Sequence, residues 1–256
     1  MLGDIIGDPG IRAVVSAMKT LIRSHRADMV IANGENSFDG YGINAEICGK
    51  LLASGIDVIT TGNHVWRDEK VGELLKEQPR LLRPDNYPGG APGSGVFVHE
   101  SKKGRVAVIN LQGRERMPTI ECPFRRFREI MKRLGGGIDH VVVDLHAEST
   151  SEKEAFFHFA DGDATVAFGT HTHVQTADEK ILPGGTAMIT DIGACLPEPS
   201  VIGFTPEISI RRVITQLPLR NTVAPGAAAI HGLVVETETG TRAARTVERF
   251  RFRSLV

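Results

Sequence analysis

The feature that most limits how this chain can fold is a short apolar run that stops at polar residues and is followed by a helical stretch. It occurs at Asp28-Met29-Val30-Ile31-Ala32, which runs into Asn33-Gly34-Glu35-Asn36. It recurs at Gly55-Ile56-Asp57-Val58-Ile59, which runs into Thr60-Thr61-Gly62-Asn63-His64. Such continuous β-branched runs read as strands buried on both faces. Ile43 to Ala53 reads as a helix between them. Ile11 to Arg26 reads as another, with Val14, Val15, Met18, Leu21 and Ile22 at helical spacing and Pro9-Gly10 suited to its first turn. Strand, polar loop and helix in succession predict a parallel sheet with crossover helices.

The rest of the chain mixes this pattern with others. Arg67 to Gln78 reads as a charged helix, and Arg83 to Gly93 as a Pro/Gly-rich surface loop. Gly95 to His99 and Arg105 to Leu111, around Lys102-Lys103-Gly104, predict a hairpin. Pro123 to Leu134 is a basic amphipathic helix closed by Gly135-Gly136-Gly137. Asp139 to Leu145 is a strand delivering His146, and Ser149 to Ala160 a helix capped at Ser149 or Thr150. Thr165 to Phe168 delivers Gly169-Thr170-His171-Thr172-His173, and Thr186 to Thr190 ends in Asp191. Ile230 to Glu236 and Arg245 to Phe252 are strands joined near Gly240. No repeat or linker divides the chain, so residues 1–256 are expected to form one domain.

Charge excludes some functions. Lys+Arg 30 nearly balances Asp+Glu 31, so no global field draws in nucleic acid or an anionic membrane, and no stable nucleic-acid complex is expected. No apolar run approaches the roughly 20 residues of a membrane span. Asp4 and Asp8 interrupt the N-terminus, leaving no visible signal peptide. Cys48, Cys122 and Cys195 form neither a zinc spacing nor a disulfide framework, which favours a reducing cytoplasm. A homo-oligomer is compatible with all of this.

Strand ends are where α/β sheets bind ligands. Here they offer Asp4, Glu35 with Asn36, Asn63 with His64, His146, and His171 with His173. Taken singly, each has a bland reading. Gly-Asn-His is more often a turn with a hydrogen-bonded histidine, and Glu35 suits a turn. His171-Thr172-His173 on a strand puts both rings on one face. Their recurrence at successive strand ends favours a site. Carboxylate, amide oxygen and imidazole suit Fe, Mn or Zn rather than a thiolate-loving metal. The candidates exceed what one ion needs. Two ions about 3.5–4 Å apart sharing a carboxylate would use them and could hold a hydroxide and a phosphoryl oxygen together. His25, His99, His140, His158 and His231 lack this context and read as surface or structural.

Gly3-Asp4, Gly34-Glu35-Asn36, Gly62-Asn63-His64, His146 and Gly169-Thr170-His171-Thr172-His173 follow the motif order of calcineurin-like metallophosphoesterases. Asn33 to Asn36, Val143 to Lys153 and Gly169 to Asp178 resemble the bacterial YmdB-type subfamily over nearly the whole chain. The resemblance implies a four-layer α/β/β/α sandwich with mixed sheets and a two-metal site. It also implies hydrolysis of small phosphodiesters, 2′,3′-cyclic nucleotides in particular, by a metal-bridging hydroxide. Carried over, Asp4, Glu35, Asn36 and His173 hold one ion. Glu35, Asn63, His146 and His171 hold the other. Asn36 is the weakest ligand, because an amide can instead hydrogen-bond the phosphate. His64 is the proton donor to the leaving oxygen, being the one ring beside a ligand that is not itself needed as a ligand.

The chain departs from the wider superfamily at Ile6, where a histidine is usual, at Glu35 in place of the bridging aspartate, and at Val65, where an acid often follows Asn-His. Only Met1-Leu2 precede Gly3-Asp4, where the family has a longer apolar strand. That predicts a truncated start or a stunted first strand, with Asp4 less firmly held. Two rival readings differ in class. An amidohydrolase or deaminase also uses His-x-His, but at its first barrel strand. An RNA-associated binding protein would use Arg125, Arg126, Arg128, Lys132 and Arg133, with Arg245, Arg249, Arg251 and Arg253.

Overall fold

The computed structural model describes residues 1–238 and 240–254. In chain order its first half contains β1 (Asp4–Ile5), α1 (Gly7–His25), β2 (Ile31–Asn33), α2 (Ala45–Ala53), β3 (Val58–Thr60), α3 (Val71–Glu77), β4 (Val96–Ser101) and β5 (Gly104–Gln112). Then follow α4 (Pro123–Leu134), β6 (His140–His146), α5 (Thr150–Phe159), β7 (Val166–Thr170), β8 (Lys180–Ile181), β9 (Ala187–Ile189), β10 (Ala194–Pro197), α6 (Pro206–Thr215), β11 (Ala228–Thr237) and β12 (Ala244–Arg253). The turn between β11 and β12 near Gly240 includes Thr239, which lies outside the described residues.

The strands form two layers. One has the order β1-β10-β11-β12, and the parallel pair β2-β3 joins it through Leu2, which bridges to Ala32 on one side and Gly232 on the other. The other has the order β4-β5-β6-β7-β9-β8, parallel in its centre with antiparallel edges.

Alternation along the strands explains the layering. On β6, Val141, Val143 and Leu145 face Phe127 and Ile130 of α4 and Phe156 and Phe157 of α5. Val142 faces the other way, into a core that also holds Ile31, Val58 and Leu233 from the first sheet. On the far side of that first sheet, Ala32, Ile59 and Ile230 pack against Val14, Met18 and Leu21 of α1 and Leu51 of α2. Three cores between four layers are what period-2 strands buried on both faces require. The α/β/β/α sandwich expected from the resemblance is the fold found.

Differences from the sequence reading are local. Arg67 to Gln78 is not one helix: a short 3₁₀ turn at Val65–Arg67 precedes α3, and Asp68 Oδ1 accepts the Lys70 amide at the break. β1 is stunted to two residues, as expected, yet Asp4 is fully buried, between Gly193 and the β11 backbone that holds Gly3. β8, β10 and α6 gave no readable signal. β10 is a four-residue strand ending in proline. The apolar residues of α6 do not face the core: Val213 and Ile214 are 74% and 76% exposed.

One polar network crosses the apolar core between the sheets. Asp144 on β6 points at the first sheet and accepts hydrogen bonds from Asn33 Nδ2 (3.1 Å) and Thr60 Oγ1, the last residues of β2 and β3. Its other oxygen accepts from Thr170 Oγ1 (2.7 Å), the last residue of β7.

The helix-side core carries much of the second sheet's stability. Phe127 is fully buried, with its ring centroid 5.5 Å from Phe156. Phe127→Ala is expected to lower unfolding free energy by about 3–5 kcal/mol, measured by urea denaturation. A loss below about 1 kcal/mol would mean that this core repacks around the gap.

Candidate metal centre

The crossing of the sheets brings two sets of strand ends together. The first sheet contributes Asp4, Glu35, Asn36, Asn63 and His64; the second contributes His146, His171 and His173. Glu35 is fully buried beyond β2. Asn33 Oδ1 accepts its backbone N–H at 3.1 Å, which turns the chain out of the strand. The Glu35 carboxylate accepts the His64 amide at 3.1 Å.

Glu35, His146 and His171 form the tightest group, with one ligand atom of each within 4.8 Å of the others. His146 Nε2 lies 2.9 Å from Glu35 Oε1, 3.0 Å from His171 Nδ1 and 3.2 Å from Asn63 Oδ1. Atoms about 3 Å apart are neighbouring corners of a coordination sphere whose bonds are about 2.1 Å. Glu35 Oε1 faces the His146 and His64 rings without a well-directed hydrogen bond, and Asp4 Oδ1 is buried without a hydrogen-bond partner among the described residues. Two orphaned carboxylate oxygens beside imidazole nitrogens call for a cation. The residues present fit a divalent metal.

Asp4, Asn36 and His173 lie alongside in a looser arrangement. Asp4 Oδ2 accepts the His171 amide at 3.2 Å, and Asp4 Oδ1 stands 4.0 Å from His146 Nδ1. The Asn36 amide lies 2.8 Å from His173 Nε2.

Second partners fix which nitrogen of each ring is free. Thr170 gives its proton to Asp144, so it accepts from His146 Nδ1 (2.9 Å), leaving Nε2 for the centre. His171 Nε2 faces Glu148 at 3.1 Å, leaving Nδ1 inward. His173 Nδ1 donates to the Ile202 carbonyl at 3.0 Å, leaving Nε2 inward. His64 Nδ1 donates to Asn36 Oδ1 at 3.0 Å and lies 3.3 Å from Glu35 Oε1, so its Nε2 is the atom left for the cavity.

The electrostatics follow from burial and charge. Burial, reinforced by the His146 charge, pushes the His171 pKa down to about 3, and burial also lowers that of His173. Both rings are neutral, as metal ligation requires. Burial opposes a charge on His146, but Glu35, Asp4 and Asp144 outweigh it and raise the ring to about 9, so a metal held at Nε2 would have to displace that proton. Burial acts against the Glu35 charge too, yet His146 holds that carboxyl well below its usual range, whereas burial lifts Asp4 well above it.

The alternation expected for His171 and His173 does not hold. β7 ends at Thr170, and the two histidines have φ of +101° and +64°. Their rings therefore diverge, one to His146 and one to Asn36. Thr172 between them anchors the turn: its N–H and Oγ1 both donate to Asp191 Oδ2 (3.1 and 2.8 Å). Asp191 also accepts from buried Lys153 Nζ at 2.9 Å.

Sequence reasoning missed Glu148, Thr170, Lys153, Tyr41 and Ile202. The first three lie in stretches already singled out, one or two residues from a ligand or on the helix that follows. Ile202 and Tyr41 carry no readable signal. With His64, His171, His173, Phe204 and others they line a cavity of about 310 Å³ in front of the centre.

Mixed sheets packed face to face between helices, with this polar centre at their strand ends, define the metallophosphoesterase class of fold. Within it the chain belongs to the YmdB-like family, whose model, described as YmdB-like protein, matches residues 1–250. The 2′,3′-cyclic-nucleotide 2′-phosphodiesterase of Bacillus subtilis (strain 168) is 40% identical over 251 residues, covering 97% of this chain and 94% of that protein. A hypothetical protein from Thermus thermophilus, of known crystal structure, superposes with TM-score 0.92 at 36% identity, covering 98% of this chain and 97% of its own. A Mycoplasma pneumoniae phosphatase structure gives TM-score 0.92 at 34% identity, covering 98% and 92%. The barrel of the amidohydrolase alternative is not what this chain forms.

Gly62 admits the centre. A Cβ there would overlap the His146 ring and the Glu35 carboxylate. Gly62→Ala is therefore expected to abolish metal binding, measured by elemental analysis after loading, while far-UV circular dichroism stays unchanged. Full metal content in Gly62→Ala would show that the ligands do not need this close approach.

Proposed function

We propose that this chain is a two-metal phosphodiesterase acting on small phosphodiesters, with 2′,3′-cyclic nucleotides as the preferred class. The observation that carries the reading is the gathering of Glu35 Oε1, Asn63 Oδ1 and His171 Nδ1 within 3.2 Å of one nitrogen, His146 Nε2, beside Asp4 Oδ1, which is buried without a hydrogen-bond partner among the described residues. Asp4, Glu35, Asn36 and His173 are assigned to one ion; Glu35, Asn63, His146 and His171 to the other, with Glu35 shared. The oxygen and nitrogen donor set accepts Fe, Mn or Zn. When bound, such ions acidify water enough to make a nucleophile near neutral pH and neutralise charge on the phosphoryl oxygens.

The substrate class rests on the family and on the cavity. About 310 Å³ lies at the small end of ligand pockets and suits a mononucleotide rather than a polymer. The cations of the RNA-binding alternative are partly engaged. Arg126 pairs with Asp85 at 2.7 Å, Arg128 lies over the Phe159 ring, Arg249 pairs with Glu179 and Arg251 with Glu198. Among the described residues no helix is long and apolar enough to cross a membrane. Free Cys48 and Cys195, both buried, agree with a reducing, cytoplasmic setting.

His64 is the proposed proton donor. Its Nδ1 is held by Asn36 and Glu35, its amide by Glu35, and its ring edge by Tyr41 at a centroid distance of 5.1 Å. These contacts orient the ring with Nε2 toward the cavity, where it gives a proton to the departing ribose oxygen. A positioned acid of this kind contributes about 10²–10⁴-fold.

The test is leaving-group dependence, with chelation and add-back of Mn as the control for metal-dependent turnover. His64→Ala is expected to slow hydrolysis of a 2′,3′-cyclic nucleotide by about 10²–10⁴-fold while retaining metal. Bis(p-nitrophenyl) phosphate, whose phenolate leaves unprotonated, should be affected much less. Equal losses on both esters, or loss of metal, would make His64 a ligand or a phosphate-positioning residue.

A further inference from the structure

One wall of the cavity, next to His64 and His173, is largely apolar. Tyr41 and Phe204 stack at a centroid distance of 5.7 Å and an interplanar angle of 25°. Ile202 stands beside them with its side chain 44% exposed. Its backbone φ is +48°, a conformation that a β-branched residue adopts only under strain. The turn is kept in place by the Val201–Phe204 bridge and by the Ile202 carbonyl, which holds His173. An exposed, strained isoleucine at the mouth of a polar centre has no role in packing the core. Most polar side chains around the cavity are already committed: Thr172 donates to Asp191, Glu148 faces His171, and Asn36, His64 and His173 belong to the centre, which leaves the Tyr41 hydroxyl without a hydrogen-bond partner among the described residues.

Resting on the function proposed above, we infer that Ile202, Phe204 and Tyr41 form the subsite for the nucleobase of the cyclic nucleotide. The wall offers apolar contact and aromatic surface, with the single Tyr41 hydroxyl as its one uncommitted polar group among the described residues, too few to read a base edge. Every nucleobase has a π-face and an apolar body, so such a wall binds all bases without choosing among them.

Kinetics on the metal-loaded enzyme test this with adenosine, guanosine, cytidine and uridine 2′,3′-cyclic phosphates and with glycerol 1,2-cyclic phosphate, which has no base. The four nucleotides should have kcat/KM values within about tenfold of one another, and the glycerol ester should fall at least about tenfold below them. Ile202→Asn keeps the carbonyl and tolerates positive φ. It should raise KM for the nucleotides about tenfold and leave the glycerol ester unchanged. Equal turnover of the baseless ester, a preference of more than about a hundredfold for one base, or an equal loss on all substrates in Ile202→Asn would overturn the subsite while leaving the phosphodiesterase reading intact. If the metal-loaded wild type cleaves no cyclic phosphate, that reading and the subsite fall together.

Discussion

Asp144 ties together two sheets that each hold half of the centre. It crosses the apolar core between them, accepting from Asn33 and Thr60 on one sheet and Thr170 on the other. A buried carboxylate is costly unless its lone pairs are used, and here three donors use them. Burial raises its pKa, while His146 and these hydrogen bonds work against that rise. Each donor ends a strand whose next residues carry ligands: Asn33 before Glu35, Thr60 before Asn63, Thr170 before His171. Fixing the last residue of each strand fixes where its loop starts. The same Thr170 hydroxyl takes the His146 Nδ1 proton, so sheet alignment and ring tautomer depend on one group.

The proposed ligands beyond that layer are held by geometry that is unfavourable in isolation. Positive φ at His171 and His173 is rare for residues other than glycine. The turn persists because Asp191 grips Thr172 twice and is itself neutralised by Lys153. Fully buried lysine is uncommon without a partner, and this one lies beneath the ligand turn, against Gly169. Glu148 and the Ile202 carbonyl then aim the two rings. The candidate centre is thus held in place by the protein's own contacts, as expected where ligands must keep a fixed geometry.

Much of this was legible in the sequence because strand ends carry chemistry in open sheets. Every proposed ligand, from Asp4 to His173, falls at the junction of an apolar run and a polar loop. α4, read as Pro123 to Leu134, has those bounds, since proline starts it and Gly135 stops it. What stayed hidden has physical causes. β10 is too short and too mixed to show a period. α6 lacks a buried face for its pattern to report. The divergence of His171 and His173 depends on backbone angles held by Asp191, about twenty residues on, which no strand template contains. Ile202 comes to His173 only through tertiary folding.

The central claim is that Glu35 lies between two metal positions rather than beside one. Metal content per chain in the wild type, Glu35→Ala and His171→Ala, each loaded identically and measured by mass spectrometry of the elements, tests it directly. The account predicts two ions in the wild type, loss of both in Glu35→Ala, and retention of one in His171→Ala. One ion in a fully active wild type, or one ion retained by Glu35→Ala, would contradict it.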